Sequence, residues 1–481
     1  MVDVIVIGGG PAGVTAAIRA RELGAQVTLI ERKRLGGTCT NDGCVPTRVL
    51  AKAARLMRDA EHFAAYGLQA ERPTVDFAQL IARTQQVVDQ VHAKKQTIAH
   101  LTEVGVQVIE NSGGAAFVDP YTIELGDGRR LSADRFIIAA GGHARRFEFP
   151  GSEYADTHHD VWNLRELPKS VAIVGASATG TQLASIFSAF GSDVTLLEAA
   201  PRILAREDAS IAKVMRQAFE TRGVRVIEGI GGVERIDKEG DLLRLTYKLG
   251  DGLASLDVER VLLAVGWVGN VESLNLPAAG LAGTARGYIE VNDYLQSAVP
   301  HIFAAGDITG RMMLVQSGSY EGRMAAENAV LGPGQPNSHF IVPHGSFTDP
   351  EYAAVGLTED EARAQFDVAV VTIPYSELDR AVIDDRTEGF FKLIVSQETH
   401  RVLGAHIVGE QAVEAVQIVA AGMAAGMWVE QLAELELAYP TYTAIVGLAA
   451  RRMLRLLGVM PLAEQWQALG SKLVAEWERS A

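Results

Sequence analysis

The sequence predicts an α/β protein with two Rossmann-like dinucleotide-binding domains followed by a third, α+β unit. Three observations carry this. A strand–glycine turn–helix–strand–acid pattern occurs twice, ending at Glu31 and again at Glu198. The apolar runs in RVLLAVGWVGN (260–270) and HIFAAGDITG (301–310) each end in glycine, as buried strands do before a turn. A proline- and glycine-rich linker around 332–343 then changes the composition, and β-like segments (EGFFKLIVSQ, RVLGAHIVG) followed by helices run to about residue 455.

The first repeat reads DVIVIGGGPAGVTAAIRARELGAQVTLIER. Val4 to Ile7 is the unbroken apolar run of a parallel strand buried on both faces. Gly8, Gly10 and Gly13 form GxGxxG. The first glycine allows the tight turn, the second lets backbone approach a pyrophosphate, and the third lets helix pack on strand. The helix start offers free N–H groups and a positive dipole end. Glu31 follows 18 residues after Gly13, where a carboxylate accepts ribose hydroxyl bonds.

In the second repeat, SVAIVGASATGTQLASIFSAFGSDVTLLE, the motif is Gly175, Ser177 and Gly180, with serine for the middle glycine. Glu198 again lies 18 residues past the last glycine. A carboxylate there favours a free 2′-hydroxyl, hence NADH; Arg202 and Arg206 close by keep NADPH as the alternative. Two such units imply two dinucleotides, one a bound flavin and the other a nicotinamide donor. Between them, a helical stretch is expected over about 47–104, then a strand-rich segment with a GDG hairpin turn at 126–128.

The 481 residues suffice for several cores, at 48% hydrophobic content. The net charge of -15, without a lysine/arginine block, argues against nucleic-acid and anionic-membrane partners. No apolar stretch approaches the roughly 20 residues of a membrane span, and the chain opens directly on a strand, so a cytoplasmic location is expected.

The chain's two cysteines, Cys39 and Cys44, fall in GGTCTNDGCVPTRVL (36–50). Bridged, they close a very short loop that adds little chain-entropy stabilisation. Buried thiols, metal ligands and a redox pair are the three readings. The nearest histidines in sequence, His62 and His92, are distant for a metal site.

GGTCTNDGCVP (36–46) matches the redox motif GGTCxNxGCxP, and the chain from Val2 to about Leu456 resembles the pyridine nucleotide-disulfide oxidoreductase family of dihydrolipoamide dehydrogenase, glutathione reductase and mercuric reductase. AAG (139–141), AVGWVGN (264–270), VPHIFAAGD (299–307), YEGRMAAEN (320–328) and FTDPEYAAVGLTEDEA (347–362) support the resemblance. It implies a homodimeric enzyme. FAD would bind at Gly8, Gly10, Gly13, Glu31, Gly37, Thr38, Ala115, Gly141, Asp307 and Val315. The nicotinamide cofactor would bind at Gly175, Ser177, Gly180, Glu198 and Gly266. Cys44 would be the thiolate next to the flavin, and Cys39 the outward thiol that attacks substrate. By the same resemblance, 1–150 with 271–335 form the FAD domain, 151–270 the NAD(P) domain and 338–455 the dimerisation domain. A helical extension, 456–481, follows, with Trp466, Leu469, Leu473 and Trp477 on one face.

The departures from the family pattern bear on mechanism. The family's C-terminal histidine, the acid/base of thiol exchange, is Tyr439 here, and its glutamate partner is Ala444. The lysine–glutamate pair by the flavin becomes Arg48 and Gln182, which makes the local field more positive. A leaving thiol of pKa about 8.5 gains from protonation, so ordinary disulfides should be reduced slowly. The acceptor is therefore expected to be a metal ion, a small molecule with a good leaving group, or a quinone. The extra cysteine pair that mercuric reductase uses has no counterpart here. Two further readings stand beside the dithiol relay: a diaphorase that reduces a quinone or metal directly from flavin, and a redox-sensing flavoprotein without turnover.

Overall fold

The apolar run after Asp3 becomes β1 (Asp3–Ile7), the glycine turn leads into α1 (Pro11–Glu22), and the chain returns as β2 (Gln26–Ile30). The computed structural model describes residues 2–334, 336–339 and 341–459; the expected apolar face of Trp466, Leu469, Leu473 and Trp477 lies outside them. Two short-range helices carry the cysteines, α2 (Gly37–Asn41) and α3 (Cys44–Glu61). The helical stretch expected over 47–104 is broken into α3, α4 (Phe77–Lys95) and α5 (Thr97–Glu103). Gly67 at φ +73° and Pro73 interrupt it, and the Asp76 carboxylate restarts it by accepting from Gln79 N at 2.9 Å.

After β3 (Gln107–Ile109), a meander of β4 (Ala115–Asp119), β5 (Thr122–Leu125) and β6 (Arg130–Ser132) turns at the expected GDG. Then come β7 (Arg135–Ile138), β8 (Gly142–Ala144) and β9 (Asp156–Thr157). The second repeat supplies β10 (Ser170–Val174), α6 (Ala178–Phe190), β11 (Asp193–Glu198), α7 (Ala209–Thr221) and β12 (Arg225–Glu228). An antiparallel meander, β13 (Ile230–Glu239), β14 (Leu242–Leu249) and β15 (Gly252–Val258), precedes β16 (Arg260–Leu263) and β17 (Trp267–Gly269). The chain then closes the first sheet with β18 (Ile302–Ala304) and enters α8 (Val315–Leu331).

Two parallel five-stranded sheets result, in the orders β18-β7-β1-β2-β3 and β12-β11-β10-β16-β9. Each puts its glycine turn at the C-terminal edge, between adjacent strands, where doubly wound sheets bind ligands. Both faces of the first sheet are buried, which is why β1 needs an unbroken apolar run. The α1 and α8 backbones approach closely. A Cβ on Gly322 would stand 2.1 Å from Ala12 O, and the facing residues are alanines and glycines.

The chain divides into two compact units, residues up to 201 with 223–339, and 202–222 with the chain from 340 on. The second holds α7 and an antiparallel sheet, β19-β20-β23-β22-β21. Its elements are β19 (His344–Ser346), β20 (Glu351–Gly356), α9 (Glu359–Gln365), β21 (Val368–Pro374), α10 (Asp379–Ile383), β22 (Phe390–Ser396), β23 (Val402–Gly409), α11 (Ala412–Ala424), α12 (Val429–Ala433) and α13 (Ala444–Leu457). No described helix is long and apolar enough to cross a membrane.

One buried ion pair secures α7 within the second unit. Asp208 caps the helix and accepts from Ser210 N at 2.9 Å, from Glu359 N at 3.0 Å and from Lys392 Nζ of β22 at 2.8 Å. Burial alone would raise the Asp208 pKa, but these donors outweigh it and hold the carboxyl well below its ordinary range. The pairing therefore stabilises the fold above an unfolded aspartate pKa of about 4 and is lost as pH falls towards the depressed folded value. Lys392→Met leaves Asp208 buried without its cation. The expected cost is about 3 kcal/mol, read as a lower Tm of the second unit's transition, with Lys392→Arg less damaging.

Candidate active site

The glycine turns are built alike. At Gly8, with φ +110°, a Cβ would lie 2.2 Å from Ala139 O; at Gly175, with φ +100°, it would lie 2.4 Å from Ala264 O. A Cβ on Gly13 would lie 1.8 Å from Gly8 O, and one on Gly180 would lie 1.8 Å from Gly175 O. No side chain fits at these four positions. The middle position is different. A Cβ on Gly10 meets only Gly37 Cα, at 3.6 Å, so the serine at 177 enters the second turn without strain.

Each acid folds back over its turn. Glu31 accepts from Gly9 N and Lys33 N, both at 2.8 Å. Glu198 accepts from Ala176 N at 2.6 Å and Ala200 N at 2.8 Å. Neither α1 nor α6 carries a side-chain cap, so their first N–H groups are free for phosphate oxygens. These cradles fit two dinucleotides. Arg202 donates from Nη2 to Ala205 O at 3.1 Å and Glu207 O at 2.9 Å, binding its guanidinium to its own loop.

The first turn runs directly into the cysteine segment. Gly37 starts α2 beside Gly10, and a Cβ on Gly37 would stand 2.8 Å from Gly10 Cα. Thr38 follows in α2. Ala115 starts β4 in the core, connected to Glu31 through Ser112, whose hydroxyl donates to Glu31 O at 3.0 Å and accepts from Gly114 N at 3.2 Å. Gly141, at φ +68°, accepts from Asn270 N at 3.0 Å, and Asn270 Nδ2 donates to Ala140 O at 2.7 Å. Val315 begins α8, and Gly266, at φ +105°, lies open between β16 and β17.

Asp307 opens the turn after β18. Burial, with Glu321 nearby, pushes its carboxyl up to about 6. Glu321 is itself fully buried, accepting from Gly306 N at 2.7 Å and His339 Nε2 at 2.8 Å.

Cys44 occupies the first position of the 18-residue helix α3, and Cys39 sits within α2. Only Asp42 and Gly43 separate the helices. A Cβ on Gly43 would lie 2.9 Å from Thr38 O, so this tight connection needs glycine. Both cysteines are free thiols, and the Cys39 S–H donates to Cys44. That bond, more than any other influence, lowers the Cys44 pKa to about 7; burial opposes it, the residue's own N–H and Lys95 assist, and the Asp307 charge works against it. Donation to Cys44, then burial, pushes the Cys39 thiol far up. Cys44 is the more exposed of the two, so solvent access and the donated proton both favour the thiolate there.

Three of the four residues between the cysteines are gripped from distant parts of the first unit. Lys95 Nζ donates to the fully buried Thr40 Oγ1 at 3.0 Å, and His92 Nε2 donates to Asn41 Oδ1 at 2.8 Å. His159 Nδ1 donates to Asp42 Oδ2 at 2.7 Å, and Trp162 Nε1 donates to Asp42 O at 2.9 Å. Sequence reasoning missed these residues. His92 and Lys95 share a helix face by their i,i+3 spacing, but nothing in the sequence says where that face lands. Helix α3 packs on α6, with Arg58 Nη2 donating to Ser188 Oγ at 3.1 Å. Arg48 lies exposed one turn into α3, while Gln182 Nε2 donates to Ala178 O at 3.0 Å within α6.

Tyr439 belongs to the second unit and is 75% exposed. Its hydroxyl donates to Asp379 Oδ2 at 2.6 Å, and that carboxylate raises the phenol above its ordinary pKa. Ala444 is the first residue of α13. Among the described residues, no three His, Cys, Asp or Glu side chains converge to hold a metal ion.

The family described as pyridine nucleotide-disulphide oxidoreductase matches residues 2–322, and its dimerisation domain matches 342–450. Mercuric reductase from Lysinibacillus sphaericus is 33% identical over 451 residues, 93% of this chain and 82% of that protein. Dihydrolipoyl dehydrogenase from Geobacillus stearothermophilus is 33% identical over 455 residues, 93% of this chain and 95% of that protein. Among solved structures, the HOCl-induced flavoprotein disulfide reductase RclA from Escherichia coli superimposes with a TM-score of 0.82 at 29% identity, covering 94% of this chain and 99% of its own; RclA has also been solved as a Cu(II) complex. The chain belongs to the pyridine nucleotide-disulphide oxidoreductases, a family of FAD-binding, NAD(P)H-linked enzymes.

The sulfur pair defines a measurable asymmetry. In the reduced, flavin-free protein, Cys44 alkylation by iodoacetamide is expected to rise through a midpoint near pH 7, with Cys39 labelled far more slowly. Cys39→Ala removes the donor and should move that midpoint upward by about one pH unit. A midpoint at the ordinary thiol value in the parent protein would refute the assigned proton position.

Proposed function

We propose that the chain is a homodimeric, FAD-containing, NADH-dependent reductase whose Cys39–Cys44 dithiol delivers electrons to a redox-active metal ion, with Cu(II) as the favoured acceptor. The observation that carries this is the proton arrangement. One sulfur is poised as thiolate, and the side chain at the family's acid position is a phenol held to a carboxylate.

Gly8, Gly10, Gly13, Glu31, Gly37, Thr38, Ala115, Gly141, Asp307 and Val315 would hold FAD, which when bound supplies the two-electron junction between nicotinamide and dithiol. Gly175, Ser177, Gly180, Glu198 and Gly266 would hold the nicotinamide nucleotide. Glu198 places a carboxylate where a 2′-phosphate would be repelled, and Arg202 is engaged with its own loop carbonyls; both favour NADH.

The chemistry of the dithiol follows from its protons. Reducing a disulfide expels a thiolate, which must take up a proton, and a positioned acid typically contributes 10²–10⁴-fold. Tyr439 is poorly suited to that role. Reducing a metal ion releases a proton instead. The Cys44 thiolate and the Cys39 thiol lose two electrons, the S–S bond forms, one proton leaves Cys39, and two Cu(II) become two Cu(I). Soft thiolate ligands match copper in its reduced state. The similarity to RclA, solved with Cu(II), supports copper. The chain's two cysteines leave no second thiol pair for a mercury relay.

Anaerobic NADH oxidation with Cu(II), followed by a Cu(I)-specific chelator, tests the proposal. Turnover is expected with NADH well above NADPH, and Cys39→Ser should lose about 10²-fold or more. Full turnover in Cys39→Ser would sink the dithiol route in favour of direct transfer from flavin. Tyr439→His with Ala444→Glu should raise lipoamide or glutathione-disulfide reduction by up to about 10²-fold, leaving the Cu(II) rate nearly unchanged.

A further inference from the structure

The last turn of α4 carries two basic residues side by side, Lys94 and Lys95, together with His92. Cations at a helix C-terminus stabilise the helix whatever else they do, so position alone assigns Lys95 no role. Its contact does. Lys95 Nζ donates to Thr40 Oγ1, which has no solvent exposure and stands next to Cys39 in α2. Three residues earlier, His92 holds Asn41, whose amide nitrogen also reaches Arg34 O and Leu35 O, at 3.4 and 3.3 Å. One helical turn thus grips two consecutive residues of the segment joining the cysteines.

The charge balance around this grip is uneven. Arg34 is neutralised by Asp89 at 2.8 Å. Among the described residues, Lys95 has the neutral Thr40 hydroxyl as its partner and no carboxylate in ion-pair range. Its field is left for the sulfurs, and it acts on both of them in the direction that favours the thiolate. The opposing charge is Asp307, from the turn after β18. Around the end of α4 lie His92, Arg34, Asp89 and Glu110, and the Asp42 carboxylate is paired with His159. Arg48 stands exposed one turn along α3.

We propose that Lys95 is the positioning residue of the dithiol: bonded to the Thr40 hydroxyl, its ammonium fixes the turn between the cysteines and supplies the cation that stabilises the Cys44 thiolate. Such a cation raises the fraction of reactive sulfur at neutral pH and secures Cys39 as the donor towards Cys44. The inference rests on the dithiol being the reacting pair, not on which acceptor it meets.

The test is the pH profile of the long-wavelength thiolate–flavin absorbance in the full-length, FAD-loaded, phosphine-reduced protein, with neither NADH nor acceptor present. Lys95→Met should lower the thiolate signal at pH 7 by roughly two- to fivefold and move the midpoint to higher pH. Lys95→Arg should restore the signal to within about twofold of the parent, because the cation is kept. Lys94→Met, which removes the same helix-end charge without the contact, should leave the profile unchanged. Thr40→Val, which removes the hydroxyl that anchors the ammonium, should shift the midpoint part of the way and tests the idea even if Lys95→Met fails to fold. A Lys95→Met profile that overlays the parent's, or an equal shift from Lys94→Met, overturns the proposal. Because no acceptor enters the measurement, a flat result would remove Lys95's role and leave the electron-transfer reading to be judged by its own assay.

Discussion

One hydrogen bond, from the Cys39 thiol to the Cys44 sulfur, organises the chemistry of this site. It turns two identical side chains into a proton-bearing sulfur and a thiolate, and so gives the pair a direction. The bond exists because two short-range helices meet almost end to end. Only Asp42 and Gly43 separate them, and Gly43 faces Thr38 O too closely for any side chain. The thiolate then falls at the first position of an 18-residue helix, where the partial positive charge is about half a unit. Burial pushes the other way and is outweighed. Lengthening the connection would cost both the thiol donor and the helix end at once.

The first glycine turn runs directly into that pair, through the contact of Gly10 with Gly37. Both parallel sheets solve the same steric problem with the same two glycines, one at positive φ against the neighbouring strand's exit and one stacked on the first glycine's carbonyl. The middle residue is freer: a Cβ on Gly10 would meet only Gly37 Cα, at an ordinary 3.6 Å, so a small side chain such as serine at the matching position 177 is compatible with the turn. The tight member of that contact is Gly37, whose own Cβ would stand 2.8 Å from Gly10 Cα at the start of the cysteine helix.

Much of this was legible in the sequence, for reasons that are physical. Buried parallel strands must be unbroken apolar runs, and a turn at φ +110° must be glycine, so Val4 to Ile7 and Gly8 identify themselves. Both acids announce themselves by spacing alone. The helical composition after Pro46 runs on without a break in pattern to about residue 104, but Gly67 and Pro73 divide it. The grip on the cysteine segment was not legible at all. His92, Lys95, His159 and Trp162 approach from 51 to 120 residues away, through helix ends and a short 3₁₀ turn that carry no motif. His92 is remote from the cysteines in sequence; folding brings its ring to Asn41.

The proton inventory explains why losing an acid need not mean losing an enzyme. The carboxyl whose charge acts on Cys44 is Asp307, itself pushed up to about 6 by burial, and that charge raises Cys44 rather than serving it. In the second unit, Tyr439 holds its proton against Asp379. Neither group is arranged to give a proton to a departing thiolate. The cations and donors that are present, the α3 N-terminus, Lys95 and the Cys39 thiol, all stabilise negative sulfur. Under the proposed function, such a site would favour acceptors that take electrons and let a proton go, and the tyrosine at the family's acid position and the thiolate at Cys44 would be two aspects of a single choice of acceptor.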